Sequence, residues 1–409
     1  MGRKILIFMS VISVLVAGCG GRMPVAGIGD SSVAREELSD TCGNGQAIEI
    51  DSLLDCMTVE ELAGQVVMPA LYADDSEITV RRVREYAGNW HIGGVVLLKG
   101  TVEGARIIGD TLAACVSAYS PSAGPLIAID AEWGLAMRLK DTQLYPRNGR
   151  ISPDAEETLL YEYGREVARE CRLAGINMVL GPVLDVLPPG KDGVSIREGA
   201  GIGNRSFGSD ARRVARLGTA YARGLEEGGV MSVAKHFPGH GSASGDSHRG
   251  LPAVVKTRAA LDTTDLLPFR EYVEAGLSGM MAGHLSVAAL DDSGVPVTAS
   301  HRVLTGLLRE EMGFDGLIVT DAMNMAGADG HTCVDALLAG ADIVLAPGDT
   351  DRELRGIVDA VRSGRLPASV LRDRVRRVLS FKVLFGRRVA GEMESGIHNQ
   401  ELALRLGGK

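Results

Sequence analysis

The chain has 409 residues, 45% of them hydrophobic and only 4% aromatic, with 53 glycines and a formal net charge of −9 at pH 7. That charge excludes the basic footprint of a nucleic-acid-binding protein, so no nucleic-acid partner is expected. The length suits one large α/β barrel as well as two average domains.

The first element is a leader. Arg3 and Lys4 precede an apolar run, Ile5–Val16, which is too short to span a membrane comfortably and right for the core of a signal peptide. Val16-Ala17-Gly18-Cys19 follows, and small residues directly before a cysteine resemble a bacterial lipobox. In that type of signal, cleavage leaves the cysteine as a lipidated first residue. Residues 1–18 are therefore read as a signal peptide and Cys19 as the lipidation site. Residues 19–45, rich in Gly, Ser and charge, are read as a flexible tether. The protein is then exported, stays in the cell envelope, and is anchored to a membrane without spanning it. A plain secretory signal with a nearby cut is the alternative.

Cys42, Cys56, Cys115, Cys171 and Cys333 are irregularly spaced and contain no CxxC pair, which argues against a zinc ribbon. Cys42 and Cys56 are candidates for a disulfide. Cys115 and Cys171 lie in helical patterns, where burial is the usual role.

From residue 65 on, short apolar runs alternate with helical periodicity. The runs are Gln65–Ala70, Gly94–Leu98, Leu126–Asp130, Asn177–Leu180, Met231–Lys235, Gly279–Ala282, Leu317–Asp321 and Asp342–Ala346. Most are continuously apolar, as strands buried on both faces of a parallel sheet are. Between them, segments such as "DARRVARLGTAYARGLEEGG" repeat apolar residues at i, i+3 and i+4, and several end in Gly. The pattern predicts an α/β fold, a single (β/α)8 TIM-type barrel over residues 46–390. Helices from about residue 350 to 386 close it, and 391–409 form a tail. A doubly wound sheet is the competing arrangement.

A barrel carries its chemistry at the C-terminal ends of the strands. There the sequence has Asp130, then Lys235 and His236, then His284, then Asp321. Any one of these alone is explained as a helix N-cap; together they point to a site. Asp321 in "LIVTDAMNMAG" closes a buried run, where an acid needs partners, and suits a nucleophile or an electrostatic stabiliser. In "GDSHRG", Asp246 can accept a hydrogen bond from His248 and set its tautomer, as in a general acid/base pair. A zinc site built from His236, His240, His248 and Asp246 is disfavoured. The first two would need a helix to share a face, and Pro238, Gly239 and Gly241 oppose one. No metal is expected, and no GxxxxGK[ST] phosphate loop is present. In "DAEWGLAMR", Asp130, Glu132 and Arg138 follow a strand, and Trp133 adds a flat face of the kind that stacks on sugars.

"KHFPGHGSASGDSH" (residues 235–248), "LIVTDAMNMAG" and "IAIDAEWGLAMR", with "GPVLDV" and "NRSFGSD", closely resemble the β-N-acetylglucosaminidases of glycoside hydrolase family 3. The resemblance covers roughly residues 50–385. It implies a barrel and a retaining, cofactor-free β-N-acetylhexosaminidase that removes terminal β-linked N-acetylglucosamine, typically from peptidoglycan fragments. Asp321 becomes the nucleophile, and His248 the acid/base with Asp246 as its partner. Asp130, Arg138, Arg205, Lys235 and His236 become the substrate-binding residues. The partners are then the carbohydrate, muropeptides included, and a membrane through the anchor; the chain is taken as a monomer. Two departures stand out. Pro188–Gly203 is longer and more Gly-rich than the family pattern, and Trp133 replaces a small residue. A β-glucosidase, β-xylosidase or phosphorylase of the same family, or a lipoprotein that binds cell-wall sugars without cutting them, remain the alternatives.

Overall fold

A computed structural model of the chain describes residues 50–117, 123–190, 201–244, 250–386 and 399–407. The leader, Cys19, the tether, Cys42, residues 191–200, Asp246 and His248 lie outside the described residues.

The strands are β1 (Val67–Met68), β2 (Ala70–Ala73), β3 (Gly94–Thr101), β4 (Leu126–Ile129), β5 (Leu139–Lys140), β6 (Met178–Val179), β7 (Met231–Phe237), β8 (Gly279–Ala282), β9 (Leu317–Thr320) and β10 (Val344–Leu345). Parallel pairing in the order β2–β3–β4–β6–β7–β8–β9 makes one strongly curled sheet. A separate two-strand ladder joins β10 to β1, with Val67 opposite Val344 and Met68 opposite Leu345. A single bridge, Val319 to Ile343, ties that ladder to β9. β1 and β2 are two pieces of one strand interrupted at Pro69, which has no N–H to donate.

The helices are α1 (Val59–Gln65), α2 (Glu77–Trp90), α3 (Val102–Val116), α4 (Glu157–Leu173), α5 (Ala211–Glu227), α6 (Arg258–Thr263), α7 (Leu267–Glu274), α8 (Cys333–Ala339), α9 (Thr350–Arg362), α10 (Ala368–Gly386) and α11 (Gln400–Gly407), with a π-helix at Arg302–Glu311. Among the described residues none is long and apolar enough to cross a membrane. α5 shows how the sequence sets them. Asp210 caps it by accepting from the N–H groups of Arg212 and Arg213, and Val214, Leu217, Tyr221 and Leu225 form its buried stripe. It lies so close to α4 that a Cβ on Gly164 would come within 2.1 Å of the Tyr221 carbonyl oxygen. Only glycine fits there. Within the segment read as a tail, α11 buries Leu402 and Leu406.

Some expected boundaries move. Gln65 ends a helix rather than starting a strand, because Thr58 and Glu61 form a capping box that starts α1 at Val59, and the helix runs through Gln65. β7 runs past Lys235 to Phe237. β5 was not expected at all; it pairs with the far end of β3 and carries the chain on from Arg138.

Alternate strand residues (Leu126 and Ala128, Met231 and Val233, Leu317 and Val319) share one apolar cluster with Val378, Phe381 and Phe385 of α10. Gly386 packs on Gly124, just ahead of β4, so α10 closes the end of the barrel opposite the strand C-termini. Asp342, fully buried, fastens this end by accepting from the Ile318 N–H at 2.8 Å, from Arg309, and from Arg377 Nε at 3.2 Å.

Lys382 of α10 is also fully buried, and its Nζ donates to Gln65 Oε1 at 2.9 Å. Burial alone lowers its pKa to about 7. Between pH 7 and the ordinary lysine range the unfolded chain holds this proton and the folded chain does not, so stability falls as pH drops through that window. Lys382→Met is expected to stabilise the fold at pH 7 by on the order of 3 kcal/mol. The gain shrinks as pH approaches 10 in urea unfolding curves. A variant less stable than the parent at pH 7 contradicts this.

Candidate active site

The strand ends converge on one cluster of charges. After β4 the chain turns through Asp130 to Glu132, and β7 brings Lys235 up to both. Lys235 Nζ lies 2.7 Å from Asp130 Oδ1 and 2.7 Å from Glu132 Oε1. Arg138 forms a second ion pair with Asp130, its Nε 3.2 Å from Oδ2. Arg205 grips Glu132 with two parallel bonds, Nε to Oε2 at 2.9 Å and Nη2 to Oε1 at 2.7 Å. The Lys235 and Glu132 side chains are 3% and 0% exposed, whereas Asp130, Arg138 and Arg205 keep 17%, 26% and 27%. The last three can therefore reach a ligand, and Glu132 works through its partners.

Electrostatics fixes their protonation. Burial pushes the Asp130 carboxyl up, but Lys235 and Arg138 pull it well below the usual carboxylate range. Burial likewise opposes Arg205 and Lys235 at Glu132, and the two cations prevail. At Lys235, burial lowers the pKa and Asp130 and Glu132 more than restore it. All three are charged at neutral pH, so none is a proton donor or acceptor for chemistry.

A second group lies beside the first. The Lys235–His236 peptide is cis. Asp185, fully buried, accepts from the His236 N–H at 3.2 Å and the His240 N–H at 2.6 Å, and sits 2.7 Å from His236 Nδ1. That pattern assigns the proton to Nδ1 and leaves Nε2, 3.4 Å from Arg205 Nη2, as an acceptor. Asp321 directly follows β9. Its N–H donates to the Ala282 carbonyl at 2.9 Å, and its Oδ1 accepts from the Ala322 N–H at 2.8 Å. Buried His284 packs alongside, with Nδ1 2.9 Å from Thr298 Oγ1 and Nε2 3.1 Å from the Ala322 carbonyl. Burial raises the Asp321 pKa, yet His236, His284, the Ala322 N–H and Lys235 together hold it below the ordinary value. Asp321 is therefore an ionised carboxylate at neutral pH. Burial lowers the pKa of His284 and of His240, which leaves both neutral and poorly suited to donate protons.

The structure thus brings together Asp130, Arg138, Arg205, Lys235, His236 and Asp321. Asp246 and His248 lie outside the described residues; the strands of chain flanking them pair through Ser244 N–H to the Ala253 carbonyl at 2.9 Å. The sequence reading gave no role to two carboxylates that the structure places in this cluster. Asp185 had a signal: an acid inside the apolar run "GPVLDV" must have buried partners. Glu132 was noted beside Asp130 but given no role. Trp133 is less open than expected, because the Arg147 guanidinium lies over its ring at 4.9 Å and covers one face. Among the described residues no group of His, Cys, Asp and Glu is placed to hold a metal ion.

Residues 58–381 match the family model described as the glycosyl hydrolase family 3 N-terminal domain. Beta-hexosaminidase A of Pseudoalteromonas piscicida is 33% identical over 387 residues, 86% of this chain and 62% of the relative. The chain thus spans less than two thirds of that relative's length. Beta-hexosaminidase LpqI of Mycobacterium tuberculosis is 34% identical over 346 residues, 79% of this chain and 82% of the relative. Among solved structures, a glycoside hydrolase family 3 beta-N-acetylglucosaminidase from Paenibacillus sp. str. FPU-7 superposes with a TM-score of 0.73 at 31% identity. It covers 83% of this chain and 65% of its own.

Asp185→Asn tests how the site is held. The substitution removes the anion that fixes the His236 proton on Nδ1, and catalytic efficiency is expected to fall about 10- to 100-fold. Long-range ¹H–¹⁵N spectra are expected to show His236 as a mixture of tautomers. An unchanged tautomer with full activity contradicts the assignment.

Proposed function

The chain belongs to glycosyl hydrolase family 3, and from that premise we propose that it is a retaining exo-β-N-acetylglucosaminidase acting on peptidoglycan fragments. Its relatives' names, β-hexosaminidase and β-N-acetylglucosaminidase, support the hexosaminide specificity. Asp321 attacks the anomeric carbon and forms a covalent glycosyl-enzyme. His248, oriented by Asp246, protonates the leaving glycosidic oxygen and then takes a proton from the water that frees the sugar. Asp130 accepts hydrogen bonds from sugar hydroxyls, while Arg138, Arg205, Lys235 and His236 fix the ring by charge-assisted contacts and position.

One observation carries this reading. Asp321 is ionised at the end of β9, and the carboxyls of Asp130, Glu132 and Asp185 are likewise held below their ordinary values by neighbouring cations and imidazoles. A retaining glycosidase needs one carboxylate nucleophile and one proton donor. No carboxyl in this cluster can donate at neutral pH, so the donor is a group of another type. An imidazole, with an ordinary pKa near ~6.5, suits that role, and "GDSH" supplies one. The leader supports export and anchorage through a lipid on Cys19.

Matched 4-nitrophenyl glycosides test the specificity: N-acetylglucosaminide turnover is expected and glucoside turnover is not, and adding phosphate changes neither. Phosphate-dependent turnover favours a phosphorylase, and muropeptide binding without sugar release favours a non-catalytic protein. Asp321→Asn is expected to lose activity by about 10³-fold or more; full activity refutes the nucleophile. Cys19→Ser is expected to move the expressed protein from the detergent phase to the aqueous phase; unchanged partitioning refutes the anchor.

A further inference from the structure

The helix side of the β7–β8 unit contains a carboxylate that the reaction scheme does not use. Asp265 lies between α6 and α7 and is fully buried. Its Oδ1 accepts from Ser242 Oγ at 2.9 Å. Its Oδ2 lies 2.5 Å from Lys256 Nζ and accepts from Thr264 Oγ1 at 2.6 Å. Ser242 is on the chain leaving β7; Lys256 is on the chain returning to α6. One carboxylate therefore fastens both arms of the connection that contains "GDSH". The outgoing arm also passes directly over it: a Cβ on Gly239, at φ +127°, would lie 2.7 Å from Asp265 Cβ. Only glycine meets both the positive φ and the close approach. The backbone closes the arms once more through the Ser244 N–H to the Ala253 carbonyl, and the Val254 N–H, donating to the Ser286 carbonyl at 2.9 Å, ties the returning arm to the chain after β8.

An unpaired buried carboxylate is costly, and this one is matched to a single ammonium and two hydroxyls on separate segments. Asp265 fixes where the outgoing arm leaves and where the returning arm comes back. A proton donor needs placement within hydrogen-bond reach of the leaving oxygen, and a displacement of about 1 Å is enough to lower a rate substantially.

We propose that Asp265, through Ser242 and Lys256, is a positioning residue for proton donation to the leaving group. This rests on the reading of His248 as the acid/base. A clasp that only stabilises the fold would lower activity on all substrates alike. A clasp that places the donor matters most where the leaving group needs a proton.

The test compares kcat/KM, which reports the bond-breaking step, for phenyl and 2,4-dinitrophenyl N-acetylglucosaminides. Asp265→Asn and Lys256→Gln are expected to lose about tenfold or more on the phenyl substrate and less than about threefold on the activated one. Ser242→Ala is expected to follow in the same direction with a smaller loss. Equal losses on both substrates, or a lower unfolding temperature with unchanged kcat/KM per folded molecule, overturn the proposal. If Asp265→Asn does not fold, the two partly exposed partners, Lys256 and Ser242, carry the same test. His248→Ala is measured alongside. If it shows no dependence on the leaving group, the acid/base reading itself fails. If it shows the dependence and the clasp variants do not, only the positioning role fails.

Discussion

The candidate site depends on one buried ammonium. Lys235 Nζ is 2.7 Å from each of two carboxylates, Asp130 and Glu132, that arrive from a different strand end. Two carboxylates this close in a largely buried site repel each other, and without cations one takes up a proton. Lys235 bridges them, and Arg138 and Arg205, arriving from two further segments, act with it to keep Asp130 and Glu132 ionised. The partly exposed side chains Asp130, Arg138 and Arg205 are thus held by the buried Lys235 and Glu132. Asp185 extends the same logic to His236 and to the backbone of His240.

The consequence for chemistry is a division of labour by electrostatics. Neighbouring cations and imidazoles keep Asp321 ionised despite its burial, which suits it to attack and unsuits it to donate. The same positive surroundings depress the other carboxyls nearby. Under the proposed function the acid for the leaving group is an imidazole, and the glycine-bearing connection after β7 is where the sequence provides one. The Asp265 clasp gives that connection fixed points of attachment on both arms.

Much of this was legible before the structure. Strands buried on both faces write themselves as continuous apolar runs, and a polar residue at the end of each run falls at the barrel mouth; Asp130, Lys235, His236 and Asp321 were read in that way. Arg205 came only from a family motif, because nothing in its local sequence says that its partner is Glu132, more than seventy residues earlier. β5 was illegible because two residues have no periodicity. Gln65 was misread because an apolar run does not distinguish a helix end from a strand start, and the capping box at Thr58 decided it. Trp133 looked like an open sugar platform, since the sequence does not place Arg147 over its ring. Asp246 and His248 rest on their motif alone.

The most direct measurement is covalent trapping with a 5-fluoro N-acetylglucosaminyl fluoride, followed by proteolysis and mass spectrometry of the labelled peptide. The account expects one sugar per chain, carried on Asp321 and released on slow turnover with the β configuration retained. No adduct, an adduct on another residue, or an inverted product contradicts it.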